Sequence, residues 1–279
     1  MFPIVSPEKT LFITDLDGTL LGPDGALPPG CAERLNALIA HGANITVATA
    51  RAIVSATKVL RDVAFALPLV LMNGVLIWDC KQKRFEQIEA LPRDAAVSML
   101  ESMDELGLSG FLYEAGEDRI RRIYHTELNS ASMRWFKEDR SNLYTFTQVD
   151  DLREILSKNS IYMTLSDDYI KLKSLYDRLL AIPQLRPTFY SDIYASGLWW
   201  LEIFSSRASK GEGVRYLREK FGFGRVVCFG DNLNDLPLFE AGDVKYAVAD
   251  AEPRLRLMAD GIVESGAGVV GEIERIFMQ

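Results

Sequence analysis

The chain has 279 residues, 48% of them hydrophobic and 25% charged, which suits a soluble globular protein built as one large domain or two ordinary ones. A formal net charge of −8, with no run of basic residues, argues against nucleic acid or an anionic membrane surface as partner. Three cysteines (Cys31, Cys80 and Cys228) without CxxC spacing argue against a disulfide framework or a zinc site.

The opening "MFPIVSPEKT" has no basic stretch leading into an apolar one, so no signal peptide is expected and a cytoplasmic location is. "TLFITDLD" reads as a short strand buried on both faces. "CAERLNALIAHG" has helical spacing through Leu35, Leu38 and Ile39, with Gly42 as its cap. "NITVATA" is a second buried strand, "RAIVSATKVLRDV" a second helix and "LPLVLMNGVLIW" further strand. The most apolar stretch, "FALPLVLMNGVLIW", is interrupted by Pro68 and by Asn73-Gly74 and is too short to span a bilayer. This alternation predicts a parallel sheet with helices on its faces. From about residue 83 to 194 the pattern changes to strands that alternate apolar with polar residues ("GFLYEAG", "DRIRRIYH", "LYTFTQV", "SIYMTLS"), separated by helices including "VDDLREILSK". The βα rhythm then returns with "KGEGVRYLREKFG", "RVVCFGD", "NDLPLFEAG" and "KYAVAD". The expectation is an α/β core in two pieces, residues 1–82 and 195–279, interrupted by an α+β domain at 83–194.

Open α/β sheets bind ligands at the carboxyl ends of their strands. Asp15 and Asp17 end the first strand, Thr49 ends the second, and Asp231 ends "VVCFG". Lys210 opens a helix, and "SKGE" (Ser209 to Glu212) fits a capping box. Three aspartates gathered at one edge make a hard oxygen site that suits Mg²⁺, with Lys210 and the Thr49 hydroxyl as donors to a phosphoryl group. An aspartate between Mg²⁺ and a lysine stays ionised and can attack phosphorus. Its neighbour two residues on would protonate the leaving alcohol, a task helped by a like charge nearby. Gly18 lets the chain leave the strand sharply.

At these residues the chain resembles the haloacid dehalogenase (HAD) superfamily of phosphohydrolases. "DLDGTL", "TVATAR", "SKGEG" and "GDNLND" are similar to its four motifs, in the family's order, and the insertion between the second and third resembles its type II cap. "LMNGVLIWD", "ADGIV" and "GVVGEIE" look like the Cof group of sugar-phosphate phosphatases. The resemblance implies a Rossmann-like core with an inserted α+β cap, and a Mg²⁺-dependent phosphatase acting on small phosphate monoesters through an aspartyl-phosphate. It implies Asp15 as nucleophile and metal ligand, Asp17 as general acid/base with its carbonyl on the metal, and Asp231 as third ligand. Thr49, Lys210 and Asn234, with the backbone amides of Leu16 and Ala50, would hold the phosphate, and Asp235 would orient Lys210. Asn73 either supports the site or serves only its turn with Gly74. "TAR" stands where the group commonly has "TGR", and "VADAE" puts Asp250 in place of an asparagine.

A phosphomutase would use the same aspartate pair, and a non-catalytic sugar-phosphate-binding protein would share the fold; retention of Asp15, Asp17 and Asp231 disfavours the latter. Of Trp199 and Trp200, one is expected to face a core. Arg119 and Arg121 read as a solvated strand face.

Overall fold

The computed structural model describes residues 9–191 and 197–279, so the N-terminal stretch screened for a signal peptide and the expected cap end at Tyr194 lie outside the described residues. In chain order, the first part holds β1 (Thr10–Thr14), α1 (Cys31–Ala40), β2 (Asn44–Val47), α2 (Ile53–Val59), β3 (Leu69–Leu71), β4 (Leu76–Asp79) and β5 (Arg84–Ile88). The insertion holds α3 (Arg93–Glu105), β6 (Phe111–Ala115), β7 (Ile120–His125), α4 (Ala131–Arg140), β8 (Phe146–Gln148), β9 (Ser160–Asp167), α5 (Tyr169–Leu179), β10 (Leu185–Ser191) and β11 (Trp199–Ser205). The last part holds α6 (Lys210–Phe221), β12 (Arg225–Gly230), α7 (Leu236–Ala241), β13 (Val244–Val248), α8 (Pro253–Met258), β14 (Gly261–Val263) and α9 (Ala267–Phe277).

Two compact units result: residues 1–87 with 209–279, and residues 88–208. In the first, a five-stranded parallel sheet has the order β14-β13-β12-β1-β2. β1 and β12 read as continuous apolar runs because both faces are covered: Leu11, Phe12, Ile13, Val226, Val227 and Phe229 are all buried. The chain order turns outward in opposite directions from β1 and β12, which opens a crevice at their carboxyl ends. α6 turns Lys210, Val214 and Leu217 inward at helical spacing. "LPLVLMNGVLIW" is an antiparallel hairpin, β3 to β4, joined to the parallel sheet by a bridge between Ala48 and Val70.

The inserted unit is a six-stranded sheet, β10-β11-β9-β6-β7-β8, antiparallel except for β7 with β8. Met99 and Leu100 of α3 and Leu172 and Leu175 of α5 share one apolar cluster with Leu165 and Leu201 of the sheet. The α/β fold with an inserted α+β domain is borne out. Its limits differ from those expected: β11 pairs with β9 and β10, so the insertion continues to Ala208. The sequence could not reveal this, since "WWLEIFS" would suit a strand of either sheet. The helix expected over "VDDLREILSK" is a single 3₁₀ turn, Leu152–Ile155. Asp151 caps the turn by accepting from the Arg153 amide at 2.8 Å, and beyond it side-chain oxygens take the amides a continued helix would need, Ser160 from Ser157 at 3.1 Å and Ser157 from Asn159 at 3.1 Å. Trp199 packs on the apolar cluster, while Trp200 meets Phe136 at 5.6 Å between ring centroids. Arg119 lies just outside β7 and pairs with Asp118, and Arg121 is exposed. No helix among the described residues is long and apolar enough to cross a membrane.

Candidate active site

Asp15 follows β1 directly, its amide donating to the Phe229 carbonyl at 3.0 Å, so its position is tied to the end of β12. Lys210 is the first residue of α6, where the Ser209 hydroxyl accepts from the Glu212 amide at 3.0 Å. Only this half of the expected capping box forms, because the Glu212 carboxylate pairs with Arg215. The Lys210 side chain is fully buried, and its Nζ lies 2.6 Å from Asp15 Oδ1 and 2.6 Å from Asp235 Oδ1. Asp235 Oδ2 accepts from the amides of Asp231 at 3.0 Å and Asn232 at 3.1 Å. The aspartate expected to orient Lys210 therefore also shapes the turn that carries Asp231.

Asp15, Asp231 and Asp235 bring carboxylate oxygens within 4.8 Å of one another. With all three ionised, they place a net charge of −2 around the Lys210 ammonium, the charge that one divalent cation balances. Burial, opposed by Lys210 and reinforced by Asp235 and Asp231, raises the Asp15 carboxyl well above the usual carboxylate range. Burial, with Asp235 next, pushes Asp231 up to about 6. For Lys210 burial acts downward, and the charges of Asp15 and Asp235 more than offset it, raising the ammonium. Both Asp235 oxygens are engaged, so the carboxylates with capacity for a cation are Asp15 and Asp231. Their hard oxygen donors suit Mg²⁺.

The carboxylate of Asp17 is not part of this cluster. It is half exposed and forms a forked pair with Arg51, Nε at 2.8 Å and Nη2 at 2.6 Å. Arg51 stands in "TVATAR", and a forked guanidinium near a phosphate site was the available signal for it. Thr19, the threonine of "DLDGTL", is buried and donates to Asp231 Oδ1 at 3.0 Å. A hydroxyl just beyond a metal-site glycine is the signal that would have found it. Thr49 is buried; its Oγ1 accepts from the Arg51 amide at 3.1 Å, and its carbonyl accepts from the Asn73 amide at 3.0 Å. Among the described residues positive φ outside glycine occurs at Met72, Asn73 and Lys83, so Ala50 adopts an ordinary backbone and needs no glycine. Leu16 is buried in the loop after Asp15, and Asp250 is exposed.

Asn73 Oδ1 accepts from Asn234 Nδ2 at 3.3 Å, which joins the β3–β4 turn to the "GDNLND" turn. Two glycines at positive φ beside the site are sterically required. A Cβ on Gly18 (φ +77°) would meet Asp231 Oδ2 at 2.3 Å, so only glycine lets the Asp231 carboxylate pack against the loop. A Cβ on Gly74 (φ +90°) would lie 2.1 Å from the Ser209 carbonyl oxygen. Gly74→Ala is therefore expected to cost about 3 kcal/mol in urea unfolding, since backbone must shift at a left-handed position. Because the obstruction is the residue before Lys210, turnover should fall as well; unchanged stability would show that the α6 terminus adapts freely.

The haloacid dehalogenase-like hydrolase family model matches residues 12–269. Pyridoxal phosphate phosphatase YbhA of Escherichia coli (strain K12) is 25% identical over 263 residues, 89% of this chain and 91% of that protein. The crystal structure of a haloacid dehalogenase-like hydrolase from Bacteroides thetaiotaomicron superposes with a TM-score of 0.76 at 22% identity, covering 96% of this chain and 100% of that one. The structure of a HAD subclass IIB sugar phosphatase does so with a TM-score of 0.71 at 19% identity, covering 97% and 100%.

Proposed function

Because the chain belongs to the haloacid dehalogenase-like hydrolases, we propose that it is a Mg²⁺-dependent phosphatase of small phosphate monoesters, sugar phosphates foremost. The observation that carries the reading is the buried Asp15–Lys210–Asp235 array with Asp231 beside it. In this reading Asp15 attacks phosphorus as the bond to the alcohol oxygen breaks, and Asp17 gives that oxygen a proton. Asp17 then takes a proton from water, whose oxygen displaces phosphate from Asp15. Lys210 holds Asp15 in place and offsets negative charge at the phosphoryl group. Thr49, Asn234 and the amides of Leu16 and Ala50 bind the phosphoryl oxygens. Asp15 and Asp231, with the Asp17 carbonyl, would hold Mg²⁺, which when bound neutralises phosphoryl charge and the repulsion between carboxylate and dianion. Asp17 is committed to Arg51 in this structure. An arriving phosphoryl dianion competes for that guanidinium and releases the acid.

Phosphate release from a panel of monoesters, with and without Mg²⁺, tests the reading. Turnover that requires the metal supports it, and ligand binding without release in any condition overturns it. Movement of phosphate between sugar positions would select the mutase.

The metal also has an expected thermodynamic signature. The Asp231 carboxyl is raised to about 6 in the folded chain, against about 3.9 when unfolded. Between these values the folded state binds more protons, so stability falls as pH rises. The loss is on the order of 1–3 kcal/mol and is complete above pH 6. A cation at Asp231 removes the penalty only where it exists. Mg²⁺ should therefore raise the melting temperature by several degrees at pH 7.5 and by far less at pH 5, as read by calorimetry. Equal shifts at both pH values would count against a cation at these carboxylates.

A further inference from the structure

A groove of about 470 Å³ is lined by the end of α2, the segment that follows it and the β3–β4 pair with its next turn, all within the first unit. Its floor is Leu60, Val63, Phe65, Leu69 and Trp78, each less than a tenth exposed. Leu69 and Trp78 are cross-strand partners in the β3–β4 pair. The Trp78 indole also meets Phe85 of β5 edge-on, at 5.2 Å between centroids, which fixes it as one wall.

Two cations, Arg61 and Lys83, line this groove, and no acid is among the described residues that do so, although the chain as a whole carries a net charge of −8. Arg61 meets only its chain neighbour Asp62, at 3.4 Å with both side chains mostly exposed, and Lys83 forms no ion pair among the described residues. An exposed pair of that kind is weak enough for a ligand anion to replace. The backbone holds Lys83 at this place. Asp79 Oδ1 accepts from the amides of Lys81 and Gln82 at 2.7 and 2.9 Å, and the Asp79 carbonyl accepts from the Lys83 amide at 2.9 Å. The turn so closed puts residue 83 at φ +52°, a left-handed position that glycine or asparagine fills at least cost. Lysine strains the turn there, and what it brings is a cation on the wall of an apolar groove. Grooves of this size take small organic molecules, whose bodies rest on apolar walls while a few polar groups fix the polar end.

We propose that the groove is a binding site for a small organic anion, an apolar ring system bearing a single carboxylate, sulfonate or phosphate. Its rings rest on Trp78 and Phe65, and its acidic group is held by Arg61 and Lys83. The lining includes none of the residues of the catalytic array, so this site stands or falls independently of the phosphatase reading.

Fluorescence titration of the metal-free protein tests this with two probes that share one ring system, anilinonaphthalenesulfonate and the uncharged N-phenylnaphthylamine. The wild type is expected to bind the sulfonate saturably. Excess inorganic phosphate, which would displace an anion held at the catalytic edge of the sheet, should leave that titration unchanged. Lys83→Gly removes the ammonium and suits the left-handed backbone, so the fold is kept and a loss of binding is a loss of contact. It should weaken the sulfonate about 3-fold, and Lys83→Gly combined with Arg61→Gln about 10-fold, with the uncharged probe unaffected by either change. Absence of saturable sulfonate binding, its displacement by phosphate, or a double variant that binds it as the wild type does would each overturn the proposal. So would an equal loss of both probes in the double variant, since the cations would then serve the shape of the groove and not the charge of its ligand.

Discussion

Asp15→Asn is expected to lower phosphate release by about 10⁴-fold or more, as removal of a nucleophile does, and yet to raise the melting temperature of the metal-free protein at pH 7.5. The two effects share one cause. Asp15 shares one buried ammonium with Asp235 and lies beside the half-buried Asp231, and its carboxyl is raised well above the usual range by burial, against the pull of Lys210 and with the push of both aspartates. A raised folded value means that ionisation at neutral pH costs the folded state free energy that the unfolded chain does not lose. Asparagine removes the charge, while its Oδ1 can still accept from Lys210, now 2.6 Å from Asp15 Oδ1. A gain of a few degrees follows, and it should disappear near pH 4, where the wild-type carboxyl is also neutral. Calorimetry across pH, beside single-turnover phosphate release, measures both halves. A lower melting temperature at every pH would mean that the Asp15–Lys210 pair stabilises the fold and that the site stores no repulsion.

Lys210→Met should act in the opposite direction on stability. Methionine fits the buried channel of the lysine stem, but it leaves Asp15 and Asp235, both buried, without the cation 2.6 Å from each. Removing one partner of a buried ionic array costs about 3–5 kcal/mol, which for a chain of this size corresponds to roughly 10 °C. Activity should fall by about 10²–10³-fold through loss of charge stabilisation alone, and by more if Asp15 moves. Mg²⁺ should recover part of the stability, since it supplies positive charge to the same carboxylates. A variant that melts near the wild type would show that water or a proton replaces the ammonium without cost. The contrast between the two variants is the stronger test: two ends of one 2.6 Å contact are expected to shift melting in opposite directions.

Much of this arrangement was legible before any coordinates. Buried apolar runs marked the parallel strands, and their ends marked the edge where ligands bind, so Asp15, Thr49, Lys210 and Asp231 were readable from residue type and position. What escaped notice were pairings between side chains far apart in sequence or free to choose among rotamers. Asp17 was expected among like charges and instead meets Arg51, 34 residues on. Thr19 reaches Asp231 across 212 residues. The limit of the insertion was also missed, because a strand's pattern does not say which sheet it joins.

The chain by itself determined its α/β core, its interruption by an α+β unit and the set of acids, hydroxyls and one lysine delivered to the sheet edge. Those properties follow from local periodicity, from strand ends and from helix starts, each set within a few neighbouring residues. Only the tertiary structure decided how the remaining polar groups are shared: Arg51 on Asp17, Thr19 on Asp231, and Asp235 on the amides of Asp231 and Asn232 as well as on Lys210. Such sharing depends on strand register and on close approaches like those at Gly18 and Gly74, where atoms distant in sequence meet at contact distance.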